Sequence, residues 1–132
     1  VIDVENEVFT RIANAIREKY PDADITGIYG AQPAGFPHVS ICQTDSYEEK
    51  TFASSSTTEN VVRVTFEVNI YSNKASGKKQ ECKELLRIIN DAFYEMNFIR
   101  LVSVPVLDPD DLSIYRHVAQ FRARTDGKYF YR

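Results

Sequence analysis

Two histidines, His38 and His117, and two cysteines, Cys42 and Cys82, are the side chains best suited to proton transfer or nucleophilic attack. His117 falls on the same face of an alternating stretch as Tyr115 and Ala119. It reads as a hydrogen-bonded structural or interface histidine, with general base as the competing reading. The chain has no nucleophile elbow and no HExxH motif. Whether Ser-His-Asp or Cys-His partners meet in space is left open by residue order. Neither cysteine has further His or Cys partners at zinc spacing. No signal peptide precedes them, so the expectation is two small buried thiols in a reducing cytoplasm.

Other short patterns fail for physical reasons. Ala75-Ser76-Gly77-Lys78-Lys79 resembles the end of a phosphate loop. The motif needs Gly where Ser72 stands and Ser or Thr where Lys79 stands. Lys78 and Lys79 read as a solvated pair, or as contacts for an acidic surface of a neighbouring subunit. Gly27-Ile28-Tyr29-Gly30 has KH-loop spacing, but the glycines and prolines that follow make it a turn. Asp108, Asp110 and Asp111 form an acidic turn with too few ligands for calcium. No catalytic, cofactor or metal residue is assigned.

Arg116, Arg122 and Arg124 form a basic stripe on one strand face, close in sequence to Tyr129, Phe130 and Tyr131. Three readings stand: a surface for subunit or tube contacts, a nucleic-acid face, or a solvated face. The first is carried forward with Tyr129 and Tyr131. Tyr47 and Phe52 join it as aromatics in a polar stretch from Asp45 to Glu59, read as a loop that orders only on assembly.

These residues need elements to hold them. Val4, Val8, Ile12 and Ile16 recur every four positions and predict a helix from about Asp3 to Tyr20, stopped by Pro21. A short apolar piece, Ile25 to Tyr29, precedes a loop, and His38 to Thr44 alternates as a strand. Asn60 to Tyr71 puts Val62, Val64, Phe66, Val68 and Ile70 on one face, with Arg63, Thr65, Glu67 and Asn69 on a wet one. Ser76 is a candidate N-cap for a second helix, striped by Cys82, Leu85, Leu86, Ile89, Phe93 and Met96 and ending near Asn97. Ile99 to Leu107 is a strand with Pro105 inside it, which predicts an edge or a bulge. Leu112 to Thr125 is a long strand, and Asp126-Gly127 a turn before a short strand or an aromatic tail. The order is α-β-β-β-α-β-β. The expected fold class is α+β: a mostly antiparallel sheet with two amphipathic helices on one face.

The chain has 132 residues, of which 43% are hydrophobic, so one domain over 1–132 with its own core is expected and a disordered chain is excluded. No stretch is long and apolar enough to span a bilayer, so no membrane role is expected. Net charge is −3, without the basic excess of a dedicated nucleic-acid binder. It conceals 10 acidic and 4 basic residues in 1–60, against 9 acidic and 12 basic in 61–132. Acids crowd the first helix and the polar stretch, and bases the second helix and late strand. Two opposed faces, suited to self-association, are expected.

The stretch Val64-Thr65-Phe66-Glu67-Val68-Asn69-Ile70-Tyr71-Ser72-Asn73-Lys74, running into Gly77-Lys78-Lys79, resembles the tail terminator (tail-completion) proteins of long-tailed, non-contractile bacteriophages and prophages. Phe36-Pro37-His38-Val39-Ser40-Ile41, Ile114-Tyr115-Arg116, Phe121-Arg122-Ala123 and the Val8-Phe9-Thr10 helix fit the same pattern, so the resemblance spans about 4 to 131. It implies a sheet with two helices and a hexameric ring, without enzymatic activity or cofactor. The implied ring caps the tail tube, ends its polymerisation and joins it to the head connector. Its partners would be its own copies, the major tail protein and a head-completion protein, with DNA able to pass through the ring without specific binding. The implied location is the virion head–tail junction, after the host cytoplasm. The alternative function is a nucleic-acid-associated module using the arginine face.

Overall fold

The computed structural model describes residues 2–28, 34–48, 61–106 and 113–132. Helix α1 (Glu5–Lys19) is followed by strands β1 (Asp24–Thr26), β2 (His38–Glu48) and β3 (Val62–Ser72). Helix α2 (Lys78–Glu95) then leads to β4 (Ile99–Val106), β5 (Tyr115–Thr125) and β6 (Phe130–Tyr131). The sheet order is β1-β2-β3-β5-β4, with β6 also paired to β5. Only the β1–β2 pair is parallel, and the other four are antiparallel. The expected α+β class and element order are both found.

Both helices cover one face of the sheet. Val8, Ile12 and Ile16 of α1, spaced one turn apart, are fully buried. Cys82, Leu85, Ile89 and Phe93 do the same for α2. Beneath them lie Val62, Val64, Phe66, Val68 and Ile70 of β3, with Ala119, Phe121 and Ala123 of β5. An aromatic block closes the centre. Phe93 stacks on Phe121 with centroids 4.2 Å apart, and Phe98 meets Phe93 edge-on at 5.0 Å. Phe130 packs on Phe98 at 5.2 Å, so the residue between two exposed tyrosines is a core residue. Burying a phenylalanine contributes roughly 1.5–3 kcal/mol.

Three local expectations change. First, β2 runs on through Asp45–Glu48, residues assigned to a loop by their polarity. Backbone pairing to β3 resumes after a bulge between Gln43 and Asp45, and it needs no apolar side chains. Second, Gly77 rather than Ser76 caps α2, at φ +85° and without a side-chain bond. Glycine fits there because a left-handed backbone costs it little. Third, the outer face of β3 is not uniformly wet. Thr65 and Asn69 are buried, Asn69 under the Arg116 guanidinium that bonds to it. Phe52, the part of the polar stretch beyond Glu48, and the turn carrying Asp108, Asp110 and Asp111 lie outside the described residues.

Candidate interaction surface

Opposite residues in an antiparallel pair share a face. The register therefore places Arg63 beside Arg124, Glu67 beside Gln120 and Tyr71 beside Arg116, all on the face away from the helices. Arg122 lies on that face opposite Ile99 of β4, and Val118 lies opposite Val104.

The arginine stripe is divided. Arg116 donates from Nε and Nη2 to Asn69 Oδ1 at 3.0 and 2.7 Å, and its guanidinium sits 5.6 Å from the Tyr71 ring centroid. It is a structural clamp over β3. Arg122 and Arg124 instead line a cavity of about 260 Å³ with Arg63, Arg132, Ile99 and Ala123. Arg124 donates to the Arg132 carbonyl. Arg132 donates to the Tyr94 carbonyl at 3.2 Å and lies 5.1 Å from the Tyr94 ring centroid. These two guanidiniums are thus oriented by carbonyls and a ring. Tight grouping of like charges favours an anionic partner, whose oxygens guanidinium forks accept well. Arg63 and Arg132 were missed in the sequence because the cluster follows from strand register. Arg63 sits on the polar face of its strand, which was the available signal.

Tyr47 is 47% exposed on β2, opposite Arg63, whose guanidinium lies 5.8 Å from its ring centroid. Tyr129 is exposed over Lys128, and the Tyr131 hydroxyl donates to Asp126 Oδ2 at 3.2 Å. Lys78 and Lys79 stand at the start of α2, far along the chain from these groups. That end of the helix is anchored by Glu81, which accepts from the Ser72 hydroxyl at 2.8 Å and faces Lys74 at 3.8 Å. Arg63, Arg122, Arg124 and, through Arg63, Tyr47 form one group. Arg116, Lys78 and Lys79 do not join it.

Each histidine makes a side-chain contact. His38, buried on β2, pairs through Nδ1 with Asp24 Oδ2 at 2.8 Å, and the Ala34 amide donates to the same oxygen at 2.9 Å. These bonds hold the Asp24 carboxyl below its ordinary range, with the Ala34 amide contributing most. They tie the parallel β1 to the sheet. His117 Nε2 lies 2.8 Å from the Ser103 hydroxyl across β4 and β5. Burial, with Arg100 and Lys83 nearby, pushes its pKa down. Between α1 and α2 runs an open groove of about 820 Å³, with Arg11, Glu18, Lys19, Asp91 and Glu95 along it. Among the described residues, no three His, Cys, Asp or Glu side chains gather at metal-binding distance. No described helix is long and apolar enough to cross a membrane.

The edge strand β4 is the other exposed feature. Among the described residues it pairs only with β5, and it shows Leu101, Val102 and Val104 to solvent, at 39%, 41% and 44% exposure. Pro105 stays in register opposite His117 and the bulge lies between Arg100 and Val102, so the expectation drawn from Pro105 is met as an edge strand and not as a bulge at the proline.

Charge sorts across the sheet rather than between two opposed faces. Helix α2 carries Lys78, Lys79, Lys83 and Arg87, but equally Glu81, Glu84, Asp91 and Glu95. The described residues around β1 and β2 (20–28 and 34–48) hold Asp22, Asp24, Asp45 and Glu48, with no lysine or arginine. Strands β4 to β6, with the turn between the last two, hold Arg100, Arg116, Arg122, Arg124 and Lys128 against Asp126 alone. Among the described residues, the β1–β2 side of the sheet carries acids and the β4–β6 side mostly arginines, while Asp108, Asp110 and Asp111, between β4 and β5 in sequence, lie outside them.

No protein-family model matches this chain. No curated protein sequence matches it. Among solved structures, the chain is similar to the gp17 protein of bacteriophage SPP1, with a TM-score of 0.47 and 12% identity, over 90% of this chain and 88% of that one.

Proposed function

We propose that this chain is a structural subunit of a bacteriophage or prophage tail. In this reading it assembles with its own copies into a ring, hexameric by the resemblance noted above, that caps the tail tube. The ring ends tube growth and presents a surface to the head connector. It works by contact, without cofactor or catalytic step. The supporting observation is that the exposed chemistry lies on extended surfaces: an open apolar edge at β4 beside a cluster of guanidiniums. Such surfaces suit protein contacts. The sequence resemblance supplies the tail context.

The test is to add the chain to polymerising tail-tube protein and view the product by electron microscopy. Tubes that stop growing and carry a ring at one end are expected. Tubes that lengthen unaltered, with no bound chain, would remove the reading.

The arginine cluster also favours a second reading, a nucleic-acid-associated module. Phosphate contacts make affinity fall steeply with salt. Salt-sensitive DNA binding that Arg122→Glu and Arg124→Glu abolish would favour it over the ring.

A further inference from the structure

Resting on the ring reading, we infer that the β4 edge of one copy docks on the β1–β2 edge of the next. This head-to-tail contact uses the two lateral sides of the same sheet. Four observations converge on it. Among the described residues β4 ends the sheet on one side and β1 on the other, so each offers an outer row of backbone donors and acceptors that no described strand takes. Beside each row stands exposed apolar surface: Leu101, Val102 and Val104 on β4, and Ile28, 70% exposed, just past β1. Among the described residues the charges are complementary, with Arg122, Arg124 and Arg100, which also donates to Asn90 Oδ1 of α2 at 3.1 Å, on one side and Asp22, Asp45 and Glu48 on the other. Finally, the bulge at Leu101 and the proline at position 105 limit the free stretch of β4 to a few residues, matching the three residues of β1.

Charge selects the occupant. Two β4 edges meeting each other would bring the described arginines Arg100, Arg122 and Arg124 of both copies together, and two β1 edges the described acids Asp22, Asp45 and Glu48. Like charges at a contact disfavour the wrong pairing. An unlike pairing is heterologous, and a heterologous contact generates a ring when the rotation closes. The second copy is therefore the occupant, seated by its opposite edge.

Cross-linking in the full chain tests this. Ile28→Cys and Val102→Cys are made in separate copies, one carrying a mass tag. Both positions are exposed, so the fold should tolerate them, and melting curves check that it does. The native Cys42 and Cys82 are buried and do not compete. A short bismaleimide is added at low salt and high protein concentration. The expected product is a band joining the two variants, present only in the mixture, and lost when the Val102→Cys copy also carries Arg100→Glu and Arg122→Glu. Dimers from Val102→Cys alone would overturn the inference in favour of a symmetric β4 contact. No band in any mixture, with every variant folded, would overturn it outright. Tube capping separates this from the ring reading. Capping without the mixed band removes the edge contact and leaves the function. The mixed band without capping does the reverse.

Discussion

Arg116 gives both Nε and Nη2 to the single Oδ1 of Asn69, a residue with 1% exposure on the outer face of the sheet. Replacing that acceptor leaves a half-buried guanidinium without its partner. Asn69→Ala should therefore lower stability by about 1.5–3 kcal/mol, the range for hydrogen bonds to charged groups. Urea unfolding measures this. The edge-to-edge cross-link should persist in the folded variant. Unchanged stability together with a lost cross-link would return Arg116 to the contact surface.

Phe93 and Phe121 stack at an interplanar angle of 10° in the middle of the core. Phe93→Ala should cost about 3–5 kcal/mol, because a void opens where three other rings met. Phe98→Leu keeps most of the volume and should cost less. Paired denaturation curves give both values. Equal losses would mean that edge-on ring geometry, rather than volume, dominates.

The His117 pKa is lowered from its ordinary 6.5, first by burial and then by Arg100 and Lys83. A base whose folded pKa is depressed stabilises the fold above its unfolded pKa. That contribution drains away as pH falls from 6.5 toward the folded value. Wild-type stability should decline over that window. His117→Gln, which can still bond to Ser103, should flatten the decline. Melting temperatures between neutral pH and pH 5 check it, and an unaltered slope in the variant would exclude His117 as the source.

The Cys82 thiol is pushed up to about 12, first by burial and then by Glu81. Only the thiolate reacts appreciably with thiol reagents. Cys82 should resist labelling in the folded chain and react once urea unfolds it. Rapid labelling without unfolding would mean that α2 opens locally. Cys42, also buried and also raised in pKa by burial, should label slowly too.

Helix stripes and strand alternation follow from local geometry, so they are legible in sequence. Val8, Ile12 and Ile16 must share a helix side, and Val64, Phe66 and Val68 must share a strand side. That determined the α+β class, the element order, the core face of β3 and the edge character signalled by Pro105. Strand partners are not local. Which arginines group, and which are clamped, depends on β3 lying against β5 in a register that sets Arg63 beside Arg124 and Tyr71 beside Arg116. Backbone pairing likewise overrode polarity at Asp45–Glu48, and a left-handed backbone moved the α2 cap to Gly77. The sequence alone also determined the imbalance of charge between the halves of the chain. Only the tertiary structure set the described acids beside β1 and β2 and the described arginines along β4 and β5. Strand order, which places β1 and β4 at opposite ends, is fixed by long-range pairing and leaves no periodic trace in the chain.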